Sequence, residues 1–166
     1  MIKVQHEAFD LGAEYAAFKA GRVDVGGYAF FVGSVRDVSD GSAVNAMTLE
    51  HYPGMTEAAL SEIESQAHQR WSLQDVLIIH RYGRMLPGED IVLVITASAH
   101  REAAFQACQF LMDWLKTHAP FWKLEEGTSG KHWVDAKQTD DAAAQRWNKY
   151  EKRKCLKQKL ASSAWV

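Results

Sequence analysis

The stretch DVLIIHRYGRMLPGEDIVLVITAS, residues 75–98, decides the fold. Residues 75–82 and 90–98 are two apolar runs joined across 83–89, where Pro87-Gly88 signals a turn. A strand with one wet face alternates polar and apolar residues. Runs this unbroken are expected where both faces are covered, so the pair forms the centre of a sheet. Residues 100–119 follow with Ala104, Cys108, Leu111 and Leu115 on one helical stripe, and Pro120 ends that helix because its ring and missing N–H cannot continue it.

Upstream, residues 2–6 alternate like a short strand, and Asp10 is placed to cap a helix reaching about Ala20, with Leu11, Tyr15 and Phe18 on one face. Residues 26–35, GGYAFFVGSV, read as a core strand that ends in Arg36 and a polar loop through Asp37, Ser39, Asp40, Gly41 and Ser42. Residues 43–52 are expected to be its hairpin partner, stopped by Pro53-Gly54, and 55–71 to be a helix with Leu60, Ile63 and Ala67 inward. Downstream, 121–126 and 131–136 flank Gly127-Thr-Ser-Gly130 as a hairpin, and Asp140 or Asp141 is placed to cap a last helix. The order β α β β α β β α β β α, with short turns between most neighbouring strands, implies α+β with a mainly antiparallel sheet flanked by helices.

At 166 residues the chain fits one domain, and 47% hydrophobic against 24% charged residues excludes the disordered class. No apolar run approaches the roughly 20 residues that span a bilayer, and the first ten residues lack a signal-peptide pattern, so a cytoplasmic protein without membrane contact is expected. Cys108 and Cys155 form no CxxC pair, and no two of the seven histidines share HxxxH or HExxH spacing, so neither disulfides nor a metal site is implied. Between Trp147 and Leu160 six basic residues face Glu151 alone; that +5 against a net −2 leaves −7 for the rest of the chain. A basic tail can reach nucleic acid, but a phosphate backbone requires a broad cationic footprint that an acidic body does not offer, and a solvated terminal segment is the commoner case.

Cations recur where elements end: Arg36 after a strand, His100-Arg101 at a helix start, Lys116 in that helix's last turn and Lys123 on the next strand. A helix N-terminus presents unpaired N–H groups and a positive dipole end, so His100 and Arg101 there suit a phosphate; the plainer reading is a solvated Arg101 and a polar start signal. Lys116 gains dipole energy from its position whatever its role. Lys123 follows Ala119-Pro120-Phe121-Trp122, and a lysine beside aromatic rings is expected to release its proton more readily, unless it merely snorkels to solvent. If the turn at Pro120 folds the strand back beside the helix, both ammonium groups face one cavity. Cys108 lies on the apolar stripe and reads as structural, and no nucleophile elbow, P-loop or dinucleotide fingerprint is present. Glu125-Glu126 are adjacent, so on a strand they point apart, and no catalysis is assigned to them.

Four phrases go further. TLEHYPGMTE (48–57), IIHRYG (78–83), TASAHR (96–101) and above all LKTHAPFWK (115–123) closely resemble the large, catalytic subunit family of molybdopterin synthase, in order and spacing, over roughly residues 1–150. The resemblance implies an α/β hammerhead-type fold, a homodimer, and a small ubiquitin-like sulfur-carrier subunit at each end. It implies a sulfurtransferase with no cofactor of its own: the carrier's C-terminal thiocarboxylate enters a pocket, and its sulfur passes to cyclic pyranopterin monophosphate to build the dithiolene of molybdopterin. Carried over by position, Lys116 and Lys123 are the catalytic lysines, and Arg36, His100 and Arg101 bind substrate. Where relatives often read WVEAR this chain has Trp133-Val-Asp-Ala-Lys137, so an arginine reaching the pocket from the neighbouring subunit becomes Lys137, a point charge without the bidentate fork. His118 stands where arginine is common, and the basic extension 151–166 has no counterpart. A non-catalytic phosphometabolite-binding module would use His100-Arg101 but would not require both lysines.

Overall fold

The computed structural model describes residues 1–39, 41–128, 130–134 and 146–147. In chain order the elements are β1 (Ile2–Gln5), α1 (Leu11–Lys19), β2 (Gly27–Ser34), β3 (Val38–Ser39), β4 (Ser42–His51), α2 (Met55–Arg70), β5 (Leu73–Arg81), β6 (Gly83–Met85), β7 (Asp90–Ser98), α3 (Arg101–Thr117), β8 (Phe121–Gly127) and β9 (Gly130–Val134). The expected caps Asp140 and Asp141, Lys137 and the extension 151–166 lie outside the described residues; of the expected last helix, Arg146 and Trp147 are described and helical.

The strands divide between two sheets. The first has the order β1-β5-β7-β2, antiparallel except where β1 joins β5 in parallel; the second has the order β3-β4-β8-β9, antiparallel, with β6 also on β4. This is the expected α+β class with mainly antiparallel pairing and helices on the sheet faces. One pairing differs from expectation. β4 is not the partner of β2: β2 pairs with β7, setting Phe30 against Ile95, while β4 pairs with β8, setting Leu49 against Lys123. The loop after Arg36 contains β3, which gives β4 a hairpin of its own through Val38 and Ala43, and the chain changes sheet there. Likewise the expected turn at 83–89 begins with β6, whose Met85 lies opposite Met47.

The unbroken runs are explained by two cores. In β5 and β7, Val76, Ile78, Val92 and Val94 face α2 and α3, meeting Leu60, Ile63, Ala67, Ala104 and Leu111. The alternate residues Leu77, Ile79, Leu93 and Ile95 face α1 through Tyr15 and Phe18. Each such side chain contributes about 1.5–3 kcal/mol by leaving water. Asp10 caps α1 as expected, its carboxylate accepting from the Ala13 N–H at 2.7 Å, but Leu11 remains exposed and the covered stripe is only Tyr15 and Phe18. Trp147 packs edge-on against Trp71 and Phe110, and its Nε1–H donates to Asp113 at 2.8 Å.

A third cluster of Val35, Val44, Met47, Leu49 and Met85 lies beneath the second sheet. The two sheets meet where His80, at the end of β5, stacks on Phe121, the first residue of β8, with ring centres 3.7 Å apart. His80 is buried; desolvation lowers its pKa to about 4, against the opposing effect of its Nδ1–H bond to the Arg81 carbonyl at 2.9 Å. It is therefore neutral at physiological pH. Among the described residues no helix is long and apolar enough to cross a membrane.

Candidate active site

β8 places the decisive residue. On a strand, successive side chains point to opposite faces, so Lys123 and Glu125 share one face while Trp122, Leu124 and Glu126 take the other. Lys123 is therefore not enclosed by aromatic rings, contrary to expectation: Trp122 is half-exposed on the outer face, and the Lys123 Nζ meets Glu125 Oε1 at 2.5 Å. Glu125 is nearly inaccessible, its side chain 5% exposed. Burial alone would raise its carboxyl pKa, but the hydrogen bond and charge of Lys123, a hydrogen bond from Ser39 and the field of His132 outweigh burial and hold it below the usual carboxylate range.

Arg36 completes this hollow. It leaves β2 exposed to solvent and lines, with Ser39, Val44, Met47, Lys123 and Glu125, a depression of about 70 Å³. Sequence reasoning named Arg36 and Lys123 but passed over Glu125. The separation it gave Glu125 and Glu126 is correct, since Glu126 faces outward to Lys131 and Arg84 at 3.1 and 3.3 Å. The signal that identifies Glu125 is the same alternation: two residues beyond a functional strand lysine, a carboxylate must share its face.

Lys116 sits elsewhere. It is exposed in the last turn of α3, at one end of a groove of about 420 Å³ between that helix and β2, whose apolar walls are Phe30, Phe31, Phe105 and Met112. Within one subunit, then, Lys116 and Lys123 line separate hollows rather than one cavity, because α3 packs on the first sheet while β8 belongs to the second. Cys108 also borders the groove, but its thiol is buried and pushed up to about 12 by desolvation, which keeps it un-ionised, as a structural cysteine should be.

His100 and Arg101 are at the far end of β2. His100 is the N-cap of α3, its side chain free of any capping bond, and its N–H donates to Ser98 Oγ at 3.2 Å. Gly26 allows the close approach: a Cβ there would overlap the Ala99 carbonyl, whereas one on Gly27 would make only ordinary contact with the Arg101 Cα, at 3.5 Å. The structure thus joins Arg36 with Lys123, leaves His100-Arg101 the length of β2 away, and describes nothing of Lys137. Seven strand steps from Gly27 to Ser34 span about 23 Å.

The family described as MoaE protein matches residues 4–118. The chain belongs to the MoaE family. It is 57% identical over 146 residues to the molybdopterin synthase catalytic subunit of Ralstonia nicotianae, covering 88% of this chain and 83% of that protein. It is 56% identical to the same subunit of Pseudomonas aeruginosa, covering 88% and 97%. A solved structure described as a molybdopterin biosynthesis MoaE protein from Burkholderia ambifaria MC40-6 superposes with a TM-score of 0.77 at 53% identity, covering 89% of this chain and 97% of that one. Membership of the MoaE family makes the chain an enzyme of molybdenum-cofactor biosynthesis, which is what the phrase LKTHAPFWK implied.

Proposed function

We propose that this chain moves sulfur from the C-terminal thiocarboxylate of a small ubiquitin-like carrier to cyclic pyranopterin monophosphate, in the cytoplasm, as a homodimer. The observation that carries the reading is Arg36 standing over the Lys123–Glu125 pair in one hollow. Each delivery exchanges a C–O bond of the pterin side chain for a C–S bond, the displaced oxygen leaving as water from the carbonyl carbon or staying on the phosphate as its ring opens, and one water then hydrolyses the resulting thioester to leave the carrier as a carboxylate, so two deliveries make one dithiolene. Such steps need cations to hold the phosphate and groups that hold or move protons beside the thiocarboxylate. Lys123, fixed by a buried carboxylate, and Lys116, at the end of the apolar groove, suit the second task. Arg36, His100 and Arg101 suit the first, with Lys137 as a further candidate from the neighbouring subunit.

A hollow of about 70 Å³ is well below the roughly 300 Å³ at which small-molecule pockets begin, which supports a site completed by a second subunit. β2 is the open edge of the first sheet, flanked by the exposed Phe30, Phe31 and Phe105. Two-fold antiparallel pairing of β2 with its mate would bring the Arg36 end of one copy to the Gly27 end of the other, where His100 and Arg101 reside. The test is complementation. Arg36→Ala and Arg101→Ala homodimers should each be nearly inactive in sulfur transfer. Statistical mixing through unfolding and refolding should restore about a quarter of wild-type activity, because half the dimers then carry one intact shared site. No recovery in verified mixed dimers would remove the shared site, and full activity of both single variants would remove the phosphate assignment.

A further inference from the structure

His132 has no role in the reading above, yet it faces the same carboxylate as Lys123. In the β8–β9 ladder it lies directly opposite Glu125, and directly opposed residues of an antiparallel pair share a face. Its Nε2 is 3.7 Å from Glu125 Oε2, while Lys123 Nζ is 2.5 Å from Oε1. The two carboxylate oxygens are thus divided between two nitrogen-bearing partners, Lys123 and His132. Ser39 of β3 and Arg36 line the same hollow.

We propose that His132 is a positioning residue for Lys123, acting through Glu125. A lysine side chain has four rotatable bonds, and Lys123, about one-third exposed, has room to use them. What fixes its ammonium is the carboxylate, and what limits the carboxylate's own rotation is a partner on each oxygen. Removing His132 frees Oε2, lets the carboxylate turn about its last bond and moves the ammonium with it. The effect belongs in the chemical step, because a misplacement of about 1 Å at a reacting group can cost about 10²-fold in rate without altering the contacts that hold substrate. The inference rests on the proposal that Lys123 takes part in the chemistry.

A built-in control separates positioning from strand stability. Lys131, the neighbour of His132, pairs with Glu126 at 3.1 Å across the same two strands on the outer face. Both contacts tie β9 to β8; only one touches the Lys123 face. The experiment measures sulfur transfer by the full-length homodimer with thiocarboxylated carrier and cyclic pyranopterin monophosphate, resolving kcat from KM, alongside thermal melts. His132→Ala should lower kcat about tenfold with KM for the pterin within about twofold. His132→Lys, which again places a nitrogen donor beside Oε2, should recover most of the loss, and Lys131→Ala should leave both constants unchanged. The inference is overturned if His132→Ala turns over normally, if its loss lies wholly in KM or accompanies a matching fall in Tm, if the lysine replacement is as slow as alanine, or if Lys131→Ala is equally slow. Lys123→Ala distinguishes the two levels: a folded, active Lys123→Ala removes the reading beneath, whereas an inactive Lys123→Ala beside a normal His132→Ala removes only the positioning role.

Discussion

Acidification should loosen this protein through one buried ring. His80 is stacked on Phe121 and its folded pKa is lowered from 6.5 to about 4 by desolvation, so in the unfolded chain it takes up a proton at a pH where the native state refuses one. A depressed folded pKa contributes stability that is fully present above the unfolded value and is lost as pH falls through the window from about 6.5 to about 4. At about 1.36 kcal/mol per pKa unit the whole window amounts to about 3 kcal/mol, of which about 2 kcal/mol is gone at pH 5. For a chain of this length that corresponds to a fall in Tm of about 4–8 °C. The carboxylates Glu89, Glu125 and Glu126, all held below their ordinary value of 4.5, lose their contributions only as pH falls through about 4.5 and lower, so the interval from pH 7 to 5 lies above them. His80→Phe keeps a ring against Phe121 but cannot titrate. It leaves the Arg81 carbonyl without its donor, an offset that is the same at every pH. Denaturant unfolding of both proteins at pH 7.5, 6 and 5 should give a pH-dependent loss in the wild type and a nearly flat profile in the variant. Equal slopes in the two would refute the assignment of the acid sensitivity to His80.

Lys116→Ala and Lys123→Ala should each abolish most molybdopterin formation while leaving the melt within a few degrees of wild type; Lys123→Arg should not restore turnover, and a near-normal yield from it would show that charge alone suffices. Glu125→Gln keeps the shape but removes a charged hydrogen bond to Lys123, worth about 1.5–3 kcal/mol, so both stability and kcat should fall, and unchanged values of both in melts and sulfur-transfer kinetics would dissociate the pair from function. Arg101→Ala should weaken pterin monophosphate binding by calorimetric titration and leave carrier association intact. Trp147→Ala opens a gap between Trp71 and Phe110 and should cost about 3–5 kcal/mol in denaturant unfolding; a loss below 1 kcal/mol would mean that the helix seam closes without it.

Helices and the central strands were legible because their residues repeat with one period over a long stretch: Leu60, Ile63 and Ala67, or Ala104, Cys108, Leu111 and Leu115, are all buried as the spacing requires. The division into two sheets was not, because β4 has the same local composition whether it pairs with β2 or with β8. What decides is the seven-residue segment 35–41, whose short β3 turns the chain away. At the site, motif and chemistry agreed on Arg36, Lys116 and Lys123, but a motif read as a string hides which side chains share a face. That is how Glu125 was missed and Lys123 was given aromatic neighbours. The distance between Arg36 and His100-Arg101 was equally invisible, since it follows from the two opposite ends of β2.

Strands greasy on both faces carry a hazard of alignment. Where one face meets water, a one-residue slip exposes apolar groups and corrects itself; in β5 and β7 a slip would merely exchange one oily compartment for the other. The few polar atoms inside the sheet therefore act as index marks. Thr96 Oγ1–H donates to the Ala104 carbonyl at 2.7 Å, Ser98 Oγ–H to the Ser72 carbonyl at 2.9 Å, and the buried Arg81 to the Asp90 carbonyl at 2.8 Å. Each finds its partner in one alignment only, and leaving such a group stranded costs about 1–3 kcal/mol. Replacing Thr96 by valine, nearly the same size, would then cost the native alignment about one hydrogen bond while lifting the penalty on its neighbours, so that much of the damage appears as misaligned chains during refolding rather than as a lower melting point.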